Sequence, residues 1–324
     1  GSEMCIRDRF CCNLITIMKE GFRLMKNGYY AGIDVGTNAG RLVIKDVYQN
    51  QKGQIVSARI QEIRIPLRLG ADVFSTGSIS FRKEEQLVDT MRAFRSLMNI
   101  YGVIDYRAYA TSAMREAKNG SDIIWRIRKE TGIDMQIVSG EKEAQTITSI
   151  ISDIHCDEGV YLSVDVGGGS TEISLIKNGE PVESTSFAIG TLRILAKKDK
   201  FETWGKLKDL LNEYHDKYGE LNIIGTGGNI NRYWKMSEHE TKKGVNILHT
   251  DELKALYNEL SGMTVDERRQ KYKLKPDRAD VIVPAGKIYL TAAKIMGAKY
   301  FIVPLIGLGD GIVDELIENS RNVI

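Results

Sequence analysis

The sequence Gly159-Val-Tyr-Leu-Ser-Val-Asp-Val-Gly-Gly-Gly-Ser-Thr-Glu-Ile-Ser-Leu-Ile176 carries the strongest structural signal in this chain. Apolar and β-branched residues precede the three glycines, and a second such run follows them. This pattern predicts a strand, a tight glycine turn and a second strand, which together form a β-hairpin. Asp165 stands near the end of the first strand, just before the turn.

The same design occurs earlier in the chain, between Tyr29 and Val47. A short apolar run includes Asp34, a turn of small residues follows, and a β-rich run resumes at Arg41. Because the pattern is short, chance recurrence is the alternative interpretation. Two copies of one hairpin predict two related domains that face a single site. A third glycine turn, Ile223-Ile-Gly-Thr-Gly-Gly228, follows another short strand.

The remaining pattern alternates predicted strands with predicted helices, so we expect an α/β fold. Strands are predicted over Gln54–Leu67, Arg107–Ala110 and Met135–Val138. Helices are predicted over Ser80–Tyr101 and Asp122–Thr131, and helices are also predicted to begin near Ser139 and near Asn229.

Length and composition narrow the class of protein. At roughly 150 residues per domain, 324 residues correspond to about two domains. The difference between 45 basic and 43 acidic residues is +2, which argues against a general nucleic-acid-coating protein. No run reaches the roughly 18 apolar residues that a membrane span needs. Four cysteines and four histidines show no disulfide or metal-ligand spacing, so we expect a reducing, cytoplasmic location and neither nucleic acid nor membrane as partner.

Glycine loops that follow strands expose backbone N–H groups, which bind phosphate oxygens. Three such loops in one chain predict a phosphate-binding cleft. The small polar side chains of the loops suit this role, although they also commonly close turns; they are Thr37, Asn38, Ser170 and Thr171.

Carboxylates beside the loops are candidates for catalysis or for holding Mg²⁺, which takes one or two carboxylates, water and substrate phosphates. Asp34 and Asp165 could hold the ion, or each could simply close its own turn. Glu172 could equally be an outward-facing strand residue, and Glu143 a favourable acid in the first turn of a helix. The residues alone leave these alternatives open.

Six segments, in this order, together resemble the exopolyphosphatase / guanosine pentaphosphate phosphohydrolase (Ppx/GppA) family. The resemblance covers the chain from about Tyr29 to its end, and the second and fourth segments are its most specific part. The segments are Asp34-Val-Gly-Thr-Asn38, Ala110-Thr-Ser-Ala-Met-Arg-Glu-Ala-Lys-Asn119, Val138-Ser-Gly-Glu-Lys-Glu-Ala144, Asp165-Val-Gly-Gly-Gly-Ser-Thr-Glu172, Gly225-Thr-Gly-Gly228 and Arg278-Ala-Asp-Val-Ile-Val-Pro-Ala-Gly286.

The resemblance implies two ribonuclease-H-like domains of the actin-like ATPase and sugar-kinase superfamily, with the site in the interdomain cleft. It implies Mg²⁺-dependent removal of terminal phosphate from inorganic polyphosphate or from pppGpp. Glu143 would be the general base, and Glu172 would be catalytic and bind the metal together with Asp34 and Asp165. Substrate would contact Gly36, Thr37, Asn38, Arg41, Arg115, Gly168, Gly169, Ser170, Thr171, Gly227 and Gly228.

The expected organisation is a leader or non-native segment over residues 1–27, an N-terminal domain over 28–137 and 306–324, and a C-terminal domain over 138–305. The final helix, over Gly311–Asn319, should pack back on the first domain. We expect a short, two-domain member of the family. A homodimer is compatible with these features.

Two departures from the family pattern bear on phosphate affinity. Ala39 replaces a serine that often follows the first loop, and Gly309 stands where the family often has arginine. A non-catalytic sensor of pppGpp, ppGpp or polyphosphate on the same fold is therefore an alternative, and a small-molecule kinase is a further one. The basic run Arg268–Arg278 could steer a polyanion or simply be a solvated connection.

Overall fold

Two β-sheets organise the computed structural model, which describes residues 26–151, 159–238, 240–242 and 245–322. The first sheet contains five strands and the second contains seven. The strands are β1 (Gly28–Val35), β2 (Ala39–Gln49), β3 (Ile55–Pro66), β4 (Asp105–Ala110), β5 (Met135–Ile137), β6 (Val160–Val166), β7 (Thr171–Lys177), β8 (Glu180–Phe187), β9 (Ile223–Thr226), β10 (Glu240–Lys242), β11 (Val245–His249) and β12 (Tyr300–Ile302).

Both sheets share one topology. The first has the order β3-β2-β1-β4-β5, in which β1, β2 and β3 are antiparallel neighbours and β4 and β5 run parallel to β1. The second repeats it as β8-β7-β6-β9-β12 and adds β11 and β10 at the far edge. This is the ribonuclease-H-like arrangement, so the two related α/β domains predicted from the repeated hairpin are confirmed.

Helices connect the strands and cover the sheets. They are α1 (Leu69–Thr76), α2 (Phe81–Tyr101), α3 (Ser112–Glu116), α4 (Gly120–Thr131), α5 (Gly140–Ile151), α6 (Thr191–Leu195), α7 (Phe201–Tyr218), α8 (Ile230–Met236), α9 (Thr250–Ser261), α10 (Val265–Tyr272), α11 (Pro276–Ala279), α12 (Ile282–Met296) and α13 (Leu308–Asn322).

The apolar spacing read from the sequence places the core correctly. In α2, Leu87, Met91 and Phe94 are fully buried and Met98 is nearly so, which is the single apolar stripe that 3.6-residue periodicity produces. The strands β6 and β7 have apolar residues on both faces, because helices and neighbouring elements cover the sheet on either side.

The last helix returns to the first sheet. α13 packs on β1, β2 and β4, and also on α5, which itself packs on β7 and β8 of the second sheet. α13 begins three residues earlier than expected, at Leu308, because Asp310 and Gly307 close its first turn. The domain boundaries at residues 137 and 305 stay predictions.

Several expectations concern residues outside the described part of the chain. These are most of the predicted leader, Cys156 and two of the histidines. In the part that the structure describes, no helix combines the length and apolar character needed to cross a bilayer.

We expect Gly311→Ala to destabilise the protein by about 1–3 kcal/mol, because a Cβ there would lie 2.1 Å from the carbonyl oxygen of Thr146 where α13 crosses α5. Gly205→Ala in α7 is the matched control. Nothing lies within 4 Å of a Cβ at Gly205, so the helix preference of alanine should stabilise that variant by about 0.5–1 kcal/mol. Urea unfolding of both variants measures the difference, and equal effects would contradict the close packing of α13.

Candidate phosphate-binding site

A cavity of about 70 Å³ lies where the ends of β1, β6 and β9 meet between the two sheets. Three glycine loops follow these strands and surround it, as the sequence pattern predicts. Twelve of the predicted site residues line its wall: Asp34, Gly36, Thr37, Asn38, Arg41, Glu143, Asp165, Gly168, Gly169, Ser170, Gly227 and Gly228.

The loops from the two domains touch at positions where a side chain has no room. A Cβ on Gly169 would lie 2.2 Å from the hydroxyl of Ser112 and 2.8 Å from that of Thr37. Gly227 adopts a φ of +90°, and a Cβ there would lie 2.7 Å from Oδ1 of Asp165. Glycine is therefore required at these positions by close approach and, at Gly227, by backbone conformation.

Four carboxyl groups are gathered at the cavity. Asp34 and Asp165 come from equivalent strands of the two sheets, and Glu143 comes from the first turn of α5. Glu172 lies opposite Asp165 in the β6–β7 pairing. Asp34, Glu143 and Glu172 are 4%, 8% and 2% exposed, so burial makes ionisation of each one costly.

Burial and mutual repulsion both favour the protonated forms of these groups. Desolvation, followed by the charges of Glu172, Asp34 and Asp165, raises the pKa of Glu143 well above its usual value. Desolvation and the charge of Asp165 raise the pKa of Glu172 to about 7. Desolvation also raises the pKa values of both aspartates, against the attraction of Arg41.

Two of the buried carboxylate oxygens have no hydrogen-bond partner, namely Oε2 of Glu143 and Oε2 of Glu172. The other oxygen of Glu172 accepts a hydrogen bond of 2.8 Å from Ser186, which orients this carboxylate behind the cavity wall. Asp165 accepts a bond of 2.8 Å from Thr226, and Asp34 accepts one of 3.2 Å from Arg41. Unpartnered buried oxygens are groups that a cation or water would stabilise.

The carboxylate oxygens at the cavity suit a Mg²⁺ ion that substrate phosphate would also coordinate. Within the described ranges, no group of three or more His, Cys, Asp or Glu side chains is arranged as a metal cage. Mg²⁺ does not need one, because it commonly takes one or two carboxylates and completes its octahedron with water and phosphate. Hard, buried, partly unpartnered carboxylate oxygens beside a phosphate cavity therefore fit this ion.

Two arginines that the sequence did not single out as site residues line the cavity. Arg64 projects from β3 and pairs with Asp277 at 2.5 Å, and Arg278 projects from α11. Burial and the nearby charges of Arg64 and Arg41 lower the pKa of Arg278 to about 9, so the guanidinium lacks sufficient negative charge around it. Two sequence signals indicate Arg278, namely the basic run that ends at it and the sixth segment of the family resemblance that begins with it.

The structure does not bring every predicted residue to the cavity wall. Arg115 donates a hydrogen bond of 2.5 Å to the carbonyl of Val138, which ties α3 to the start of α5. Thr171 is fully buried and donates to the carbonyl of Ile189 at 2.6 Å. With Glu172 these two lie behind the wall, where they support the loops.

The structure shows what surrounds Gly309, the position at which the family pattern often has arginine. A Cβ at Gly309 would lie 2.8 Å from a methyl group of Val43, so the backbone of α13 packs directly on β2. Arg59 of β3 reaches the same region and binds both carboxylate oxygens of Asp310, at 2.9 and 2.5 Å. The guanidinium of Arg59 in β3 is thus present beside Gly309 of α13.

Comparisons with known proteins agree with this architecture. A model of the Ppx/GppA phosphatase family matches residues 46–320. Exopolyphosphatase 1 of Mycobacterium tuberculosis is 32% identical over 163 residues, which are 50% of this chain and 46% of that protein. The chain thus spans about half the length of the curated exopolyphosphatases it matches.

Solved structures share the fold along most of the chain. An exopolyphosphatase from Cytophaga hutchinsonii has a TM-score of 0.76 at 22% identity, over 90% of this chain and 98% of that one. A Ppx/GppA family member from Aquifex aeolicus has a TM-score of 0.71 at 24% identity, over 91% and 99%. At these identities, the likeness concerns the fold.

We expect Glu172→Gln to stabilise the metal-free protein at pH 8 by roughly 2–3 kcal/mol. Since the pKa of Glu172 rises from 4.5 unfolded to about 7 folded, the folded state binds more protons between these values and wild-type stability falls as pH rises through them. Glutamine does not titrate, so its advantage should shrink toward pH 5. Urea unfolding at both pH values measures it. The exposed Glu180→Gln in β8 is the control, and equal pH dependence in wild type and Glu172→Gln would refute the assignment.

Proposed function

The chain belongs to the Ppx/GppA phosphatase family, and from that membership we propose that it hydrolyses terminal phosphoanhydride bonds. The observation that carries the proposal is the buried Glu143 carboxylate, whose Oε2 has no partner and which faces a cavity walled by three glycine loops. A phosphoryl group, a water molecule and a base would meet there.

The loops and the arginines would bind the terminal phosphate. Backbone N–H groups of the three loops act as fixed dipoles, and their orientation costs no reorganisation when charge develops on the phosphoryl oxygens. Arg41, Arg64 and Arg278 add positive charge on the same wall. Arginine at such a position stabilises the charge spread over the equatorial oxygens during phosphoryl transfer.

Glu143 would orient the attacking water and accept its proton. The water oxygen forms a bond to the terminal phosphorus, the bond from phosphorus to the bridging oxygen breaks, and that oxygen leaves with the rest of the chain. The proton taken by Glu143 then passes to a product oxygen. Burial raises the pKa of Glu143, so its carboxylate accepts the proton of the attacking water more readily than an exposed glutamate would.

Mg²⁺ would be held by two of the three predicted carboxylates, Asp34 and Asp165, which line the cavity, while Glu172 behind the wall would add its negative charge. When bound, the ion would neutralise charge on the phosphate oxygens and would favour the ionised forms of the surrounding carboxylates, which burial otherwise keeps protonated. Arg41 already plays part of this role, because it pairs with Asp34 at 3.2 Å.

Inorganic polyphosphate and pppGpp are the two substrates we propose, since each presents a terminal anhydride to such loops. The curated relatives described as exopolyphosphatases support polyphosphate. A cytoplasmic location fits these substrates and remains part of the proposal.

We expect Glu143→Gln to lower kcat for phosphate release by roughly 10²–10⁴-fold with little change in KM, because it removes the base and leaves the loops intact. Glu141→Gln is the matched control, since Glu141 lies exposed in the same first turn of α5. Phosphate release with Mg²⁺ is measured from polyphosphate and from pppGpp in parallel.

Full activity of Glu143→Gln would show that Glu143 is not the general base. Failure of the folded wild-type protein to release phosphate from either substrate, combined with tight binding of pppGpp, would contradict the hydrolase and favour a sensor of that nucleotide.

A further inference from the structure

A second cavity, of about 200 Å³, adjoins the first. It is nearly three times as large and lies between β3, α8 and the segment leading into α13. The two cavities share five wall residues, Arg41, Gly227, Gly228, Arg278 and Gly307. A ligand bound at the glycine loops can therefore continue into the second cavity.

The wall of the second cavity is strongly basic. It carries the cations Arg41, Arg59, Arg232, Lys235 and Arg278 and the carboxylates Glu62 and Asp310.

Both carboxylates are paired with Arg59, and Arg41 is paired with Asp34. For the ranges that the structure describes, Arg232, Lys235 and Arg278 have no ion-pair partner. Three cations thus remain available to a ligand.

These three cations form a series from the buried end of the cavity to its mouth. Arg278 lies on the wall shared with the first cavity. Arg232 is close enough that its charge contributes to the lowered pKa of Arg278. Lys235 lies one helical turn beyond Arg232 on the same side of α8, and its side chain is exposed. A chain of negative charges would meet one cation after another.

The described part of the wall is not aromatic. Its apolar side chains are those of Val43, Leu305 and Ile306, and among the residues that the structure describes neither cavity is lined by a Phe, Tyr, Trp or His. Stacking on aromatic rings is a common source of affinity for nucleobases, whereas a phosphate chain needs only positive charge and hydrogen-bond donors. The chemistry of the wall therefore suits phosphates better than a base.

We propose that the second cavity is a subsite for the inner phosphates of linear inorganic polyphosphate, with Arg278, Arg232 and Lys235 as successive contacts. The inference rests on the proposed function only in placing the terminal phosphate among the glycine loops. It assigns chain-length preference to Arg232 and Lys235 of α8, and the guanosine moiety of pppGpp would find no aromatic ring among the described lining residues of this cavity.

The test compares the binding of tripolyphosphate, medium-chain polyphosphate and pppGpp to the protein with and without the double substitution Arg232→Gln/Lys235→Gln. Binding is measured calorimetrically with Mg²⁺ in the Glu143→Gln background, so the readout does not depend on turnover. We expect the double variant to lose roughly tenfold or more in affinity for the longer chain, because it loses two charged contacts, and to bind tripolyphosphate nearly as wild type does. The salt dependence for the longer chain should also weaken.

Lys206→Gln/Lys208→Gln is the matched control, since it removes the same charge from the exposed side of α7 in the same domain. It should leave both affinities unchanged. Lys235→Gln alone, at an exposed position, tests the subsite independently of any effect of Arg232 on folding.

Equal losses for the two chain lengths, or no loss for the longer chain, would overturn the subsite. A larger loss for pppGpp than for medium-chain polyphosphate would also overturn it, because the cavity would then serve the nucleotide. Length-dependent binding without any phosphate release by the wild type would uphold the subsite and reject the hydrolase. Phosphate release without length-dependent binding would reject the subsite and uphold the hydrolase.

Discussion

Four largely buried carboxyl groups lie close together between the two sheets, and the surrounding charges and loops are arranged around them. Asp34 and Asp165 come from equivalent strands, and Glu143 and Glu172 join them from α5 and β7. Repulsion and desolvation make this cluster costly in the ligand-free protein. A bound cation, or a bound anion with its counterions, can offset such a cost, and the proposed phosphoryl chemistry would bring both to this point.

Arginines from both domains provide the opposing charge. Arg41 and Arg64 approach from the first sheet, and Arg278 approaches from α11 of the second domain. Two pairs also cross the cleft, since Arg64 binds Asp277 at 2.5 Å and Arg68 binds Asp280 at 2.7 Å. Because Arg64 and its partner are mostly buried, their pairing depends on the close approach of the two domains. The same contacts that hold the domains together therefore arrange the charges of the site.

The surroundings of Gly309 show that a cation can come from a residue far away in the chain. Gly309 leaves no side chain where α13 packs on β2, and Arg59 of β3 lies beside it with its guanidinium bound to Asp310. The sequence around Gly309 gives no sign of this guanidinium, because Arg59 and Asp310 are 251 residues apart in the chain.

The repeated hairpins, the α/β alternation, the glycine loops and most of the cavity wall can be predicted from the sequence, because strand periodicity and glycine turns are local properties. Which charges meet depends on the packing of the two sheets. Nothing local shows that Arg278 reaches the cavity, or that Arg115 and Thr171 lie behind the wall, where they donate hydrogen bonds to backbone carbonyls. Burial, long-range pairing and the pKa values that follow from them arise only when the two sheets come together, since each depends on neighbours far away in the chain.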